Sequence, residues 1–197
     1  MGFTGYKDFD SGSGNLISDY LKEWKNSEER KPLIIKGARQ IGKTESIRKF
    51  AEENYTSVIE INFVEEPKYR TIIVDGYGAD EIVKSISRID PQKQFIPEET
   101  LIFFDELQEF PEIATSLKFF AQDGRFDIIC SGSLLGISYQ RIESNSVGYK
   151  NDYTMYSMDF EEFLWAKGYQ DDVIEDMLEH MCQGKAFGKA ELYTFEE

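Results

Sequence analysis

The sequence predicts an α/β fold: a parallel five-stranded sheet with helices on both faces. Two observations carry this. Strand and helix signals alternate along the chain, and most of the strand signals are continuous apolar runs, as expected of strands covered on both sides. A third observation sharpens it: a glycine-rich octapeptide joins the first strand signal to the second helix signal.

Residues 1–14 are rich in Gly, Ser and Thr and read as a frayed start. Leu16, Ile17, Tyr20, Leu21 and Trp24 recur at helical spacing, which predicts a helix over 15–29, stopped by Pro32. Leu33, Ile34 and Ile35 form the first strand, and a helix follows over 43–54. The second strand is placed at 58–63. Asp80 opens a helix over 80–89, and Pro91 and Pro97 bracket a loop. Leu101, Ile102, Phe103 and Phe104 form the third strand. A helix is predicted over 113–122, closed by Gly124. The fourth strand is placed at 126–130 and the fifth at 153–158. Helices are read over 160–166 and 173–181.

Composition narrows the function classes. With 41% hydrophobic and 30% charged residues, 15 Phe and 11 Tyr, the chain is globular in composition. Its net charge of -15 repels phosphate backbones and anionic lipid, so direct nucleic-acid binding by this chain is not expected. Cys130 and Cys182 make no metal-ligand spacing, and Cys130 lies in an apolar run that predicts a buried thiol. No leader pattern and no apolar run of about 18 residues occurs, so the expected setting is cytoplasmic, with no membrane span.

The octapeptide is Gly37, Ala38, Arg39, Gln40, Ile41, Gly42, Lys43, Thr44, which fits the phosphate-binding P-loop, G-x-x-x-x-G-K-[ST], at every fixed position. Each position has a physical role. Gly37 leaves the strand through a tight turn, and Gly42 lets backbone approach phosphate closely. The loop N–H groups and the start of the next helix, through Glu45, form an anion site. Lys43 brings a compact positive charge to the β and γ phosphates, and the Thr44 hydroxyl is a ligand for Mg²⁺. The expected ligands are therefore ATP and Mg²⁺, and the fold is that of a P-loop NTPase three-layer sandwich.

Such a site needs a carboxylate near the metal. The third strand ends in Asp105-Glu106, a Walker B pattern: Asp105 for Mg²⁺, Glu106 to activate or orient the attacking water. The fourth strand runs into Ser131-Gly132-Ser133. Ser131 is the first candidate for a polar sensor of the γ-phosphate and Ser133 the second. Arg39, Arg125 and Arg141 are candidates for an arginine finger. His180 stands alone, without a partner cluster for metal binding. No Asn-Lys-x-Asp string follows the Walker B segment, so guanine selection of the usual GTPase kind is unsupported.

The strings KPLIIKGARQIGKT, LIFFDELQ, IICSGSLLG and MYSMDFEEFLWAKG together resemble prokaryotic AAA-superfamily ATPases known as ATP-binding proteins. The resemblance covers about 15–168. It implies that Gly37, Gly42, Lys43 and Thr44 are the P-loop, Asp105 and Glu106 the Walker B pair, Gln108 the glutamine that follows it, and Ser131 and Ser133 the sensor strand. Where that family carries a basic residue after a glycine before the last strand, this chain has Gly148-Tyr149 and then Lys150. It also implies two regions: an AAA-type ATPase domain over 1–168, and a helical tail over 169–197 that starts a truncated C-terminal domain. Self-association or a protein partner is expected by the same resemblance. Three activities stay open on the sequence: an ATPase driving a conformational change, a nucleotide-gated binding module with negligible hydrolysis, and a kinase, for which no Arg-rich lid segment is evident.

Overall fold

The computed structural model describes residues 16–133, 148–157, 164 and 167–182. They form two compact units. One spans Leu16–Ser157; the other holds Leu164 and 167–182.

The larger unit is built on a five-stranded, all-parallel sheet. Its strands are β1 (Leu33–Lys36), β2 (Ser57–Asn62), β3 (Thr100–Asp105), β4 (Asp127–Gly132) and β5 (Asn151–Thr154). The spatial order is β2-β3-β4-β1-β5. β4 therefore sits between the strand that precedes the P-loop and the strand that ends in Asp105. Register is fixed by pairs such as Ile34 with Cys130 and Phe104 with Cys130.

Side chains alternate across the sheet, and both faces are covered. Leu33, Ile35, Leu101, Phe103 and Ile129 pack with Ile17, Leu21 and Trp24 of α1 (Leu16–Asn26) and Ile47, Phe50 and Ala51 of α2 (Lys43–Asn54). On the other face Ile34, Ile102, Phe104, Ile128 and Cys130 pack with Ile82 and Ile86 of α3 (Ala79–Ile89) and Leu117 and Phe120 of α4 (Leu117–Asp123). The result is the three-layer α/β sandwich that the alternation of elements predicts. Cys130 is buried as expected, and burial pushes its thiol pKa up.

Several boundaries differ from expectation. α1 stops at Asn26, because turns bonded from Ser27 N–H to the Trp24 carbonyl and from Arg30 N–H to the Ser27 carbonyl take over. The helix expected over 113–122 divides. A 3-10 stretch, Pro111–Ser116, comes first, with the Ser116 hydroxyl bonded to the Ile113 carbonyl, and α4 follows. Gly124 closes α4 at φ 71° as expected. β4 begins one residue later than expected and runs on through Ser131 and Gly132. β5 lies at Asn151–Thr154, two residues before the predicted start; its N–H and carbonyl groups pair with β1 although its side chains are half-exposed and polar.

In the second unit α5 (Asp171–Cys182) buries Ile174 and Met177 against Leu164. The helix expected over 160–166 lies outside the described residues except for Leu164.

Candidate functional site

Parallel strands bring their carboxyl ends to one edge of the sheet, and the groups singled out from the sequence gather there. β1 delivers the 37–44 loop, β3 delivers Asp105 and Glu106, β4 delivers Ser131, and α2 starts at Lys43. Asp105, Glu106 and part of the loop border a cavity of about 640 Å³; Ser131 is fully buried behind it and is not part of its lining.

The loop is held by backbone constraints. A Cβ on Gly37 would collide with the Met155 carbonyl oxygen and with Ile41 Cδ1, so only glycine fits where the chain after β5 crosses the loop. Gly42 lies at φ 88°, in the left-handed region that favours glycine, and directly precedes α2. Gln40 also has positive φ, at 63°. Among the first N–H groups of α2, none has a side-chain cap, which leaves the helix terminus to face an anion. The Lys43 ammonium donates to the carbonyls of Gly37, at 3.2 Å, and Ala38. Burial lowers its pKa, while the charges of Glu106 and Asp105 draw it partly back up. Arg39, Gln40, Gly42, Thr44 and Glu45 border the cavity.

Asp105 is 3% exposed, and its carboxylate accepts from four directions. Oδ1 takes the Ser131 hydroxyl and, at 3.0 Å, the Glu106 N–H. Oδ2 takes the Thr44 hydroxyl at 3.1 Å and the Asn62 amide at 3.2 Å. The two predicted metal-site residues are therefore in direct contact, and Ser131 touches the carboxylate between them. Glu106 sits in the left-handed region at φ 56° and borders the same cavity as Lys43. Ser133 is also at the cavity edge, with Arg39 Nε 3.4 Å from its hydroxyl.

The donor set fits Mg²⁺. A hydroxyl and a carboxylate, both hard oxygens, meet beside the 37–44 loop, and Thr44 and Asp105 are the residues that would hold the ion.

The other basic candidates divide. Arg39 reaches the cavity. Arg125 is engaged by Asp80 at 2.6 Å and Asp123 at 2.7 Å. Arg141 lies outside the described residues. Lys150 pairs with Asp152. Arg48, not singled out from the sequence, also borders the cavity and is paired with Glu60 at 2.6 Å. Asn62 was missed too. Its signal resembles the one that exposed Asp105 and Ser131, a polar residue at or next to the last position of a strand.

Fold and site together define an α/β nucleotide-binding ATPase module of the P-loop class. Residues 29–164 match the AAA domain family, and the chain belongs to that family. No curated protein matches it. Among solved structures it is similar to C. elegans PCH-2, with 13% identity and a TM-score of 0.42 over 76% of this chain and 44% of that one. It is also similar to the structure of Drosophila ORC bound to DNA, with 14% identity and a TM-score of 0.49 over 83% of this chain and 48% of that one. The chain spans about half the length of these structures. Among the described residues no helix is long and apolar enough to cross a membrane.

Proposed function

We propose that the cavity binds ATP with Mg²⁺ and hydrolyses the γ-phosphate, and that turnover drives a conformational change in a larger assembly. The observation that carries this reading is the meeting of Thr44 and Asp105 beside Glu106, in the cavity that also holds Lys43.

In this reading residues 37–45 cradle the phosphates, with Lys43 moving from the carbonyls of Gly37 and Ala38 to the β and γ oxygens. Thr44 and Asp105 would hold Mg²⁺, which would supply charge neutralisation at the phosphates. Glu106 takes a proton from water as its oxygen bonds to the γ-phosphorus. The bond from that phosphorus to the bridging oxygen breaks, and ADP and phosphate leave. Ser131 keeps the Asp105 carboxylate in place and responds to the γ-phosphate through it. We assign the ATPase domain to 1–168, and 169–197 to the helical start of a further domain. The partner is a second copy or another protein; a chain of net charge -15 is ill suited to nucleic acid. The proposed setting is cytoplasmic.

A fluorescent ATP analogue with Mg²⁺ tests the site. Low-micromolar binding that is lost in Lys43→Ala supports it; equal binding by both proteins sinks it. Phosphate release then separates two activities. Glu106→Gln lowers turnover by about 10²- to 10⁴-fold in a hydrolase. In a nucleotide-gated binding module, wild type and variant release phosphate equally slowly. The engagement of Arg125 by Asp80 and Asp123 favours that second reading, since it removes one candidate finger.

A further inference from the structure

Gln108 lies two residues beyond Glu106, in the 3-10 turn Leu107–Glu109. Its side-chain amide is used at both ends. Nε2 donates to Glu106 Oε2, and Oε1 accepts the Ser133 N–H at 3.2 Å. The chemistry fixes the amide's orientation: reversed, it would set oxygen against carboxylate and N–H against N–H. The left-handed conformation of Glu106 reverses the chain so that two side chains so close in sequence can meet. Buried Leu107 anchors the turn.

This contact joins two parts of the cavity. Ser133 follows β4, and both Gly132 and Ser133 border the cavity beside Arg39 of the loop. Glu106 borders the same cavity, within electrostatic reach of Lys43. Gln108 is the one side chain among the described residues that bonds both to the Glu106 carboxylate and to the end of β4.

We propose that Gln108 is a positioning residue for Glu106. It fixes the carboxylate through Oε2, leaves Oε1 to take the water proton, and ties the carboxylate to the end of β4. A ligand that shifts Gly132 and Ser133 therefore re-aims Glu106. Only an amide of this length serves. Glutamate has the same shape but no donor and adds a like charge; asparagine is one methylene too short. The inference rests on the hydrolytic reading above.

The test measures phosphate release and ATP-analogue affinity on the full 197-residue chain. The proteins are wild type, Gln108→Ala, Gln108→Glu, Glu106→Gln and the double variant Glu106→Gln/Gln108→Ala. Misplacing a catalytic group by about 1 Å costs up to roughly 100-fold, so Gln108→Ala is expected to lower kcat by about 10- to 100-fold. Analogue Kd and KM should change less than about threefold, because the phosphate loop is untouched. Gln108→Glu, which keeps the shape of the turn, should fall as far. In the Glu106→Gln background, Gln108→Ala should have almost no further effect, since the group it positions is already disabled. Three results overturn the proposal: unchanged kcat in both Gln108 variants, a parallel loss of affinity and kcat, or a full further loss in the Glu106→Gln background. A wild-type chain that binds the analogue but releases no phosphate overturns the hydrolytic reading and this proposal together. Hydrolysis that is normal without Gln108 overturns this proposal alone.

Discussion

Lys43 and Asp105 are both buried and both charged, yet they are held by different means. Lys43 bonds to carbonyls five and six residues away in its own loop. Asp105 is held by Ser131 of β4, Thr44 of α2, Asn62 of β2 and the backbone of Glu106. One arrangement is local and is complete within an octapeptide. The other exists only after three elements have come to the end of β3. Local bonds to carbonyls can be surrendered to a ligand without disturbing the fold. A carboxylate that satisfies four donors cannot move without leaving them unpaired.

Removing each charge tests this difference. Asp105→Ala should carry the largest cost, about 3 kcal/mol in urea unfolding, because buried donors on several elements lose their acceptor. A cost below about 1 kcal/mol would show that the donors find other partners. Lys43→Ala should weaken ATP-analogue affinity by about 100-fold, near 2.7 kcal/mol, while the urea midpoint barely moves. Parallel loss of stability would erase the contrast between the two ends. Asn62→Ala comes next, at about 1 kcal/mol of stability. It removes one Asp105 donor and the acceptor for the N–H groups of Val64 and Glu65.

The smallest expected change has the opposite sign. The Tyr69 hydroxyl is buried without a hydrogen-bond partner among the described residues. Tyr69→Phe should therefore be neutral or stabilising, by at most about 1 kcal/mol. It also has a pH signature. Burial, with the charges of Glu66 and Asp90, raises the Tyr69 pKa to about 12, above the ordinary value of 10.0. The folded state then holds its proton more tightly than the unfolded chain. That contribution is intact below pH 10 and is lost as pH rises toward 12. Urea titrations at alkaline pH should show a shallower decline for Tyr69→Phe than for wild type.

The same contrast explains what the sequence discloses. The phosphate loop is contiguous, and its residue types follow from its backbone demands, so it is legible without a fold. Asp105 and Ser131 are nearly as legible, because each ends a continuous apolar run. Asn62 was not. β2 is an edge strand with alternating burial, and reading it through Phe63 hid its polar last residue. β5 was misplaced for a related reason: Asn-Asp-Tyr-Thr pairs through its backbone, and the apolar signal lies just after it, at Met155. The glycine at 37 was recognised as a turn residue, but its need to clear the Met155 carbonyl depends on tertiary contact.

The position of β4 has a consequence for how the chain comes into being. β1 and β3 do not pair with each other; each pairs with β4, which is made later than both. Until residues 127–132 emerge, a growing chain holds the phosphate loop on one unfinished edge and Asp105 on another, with a gap one strand wide between them. Long-range parallel pairing of this kind is slow, and open edges invite mispairing in the interval. The chain thus acquires its central strand and its capacity to recognise a nucleotide in a single late step, and a nascent chain released before that strand has neither.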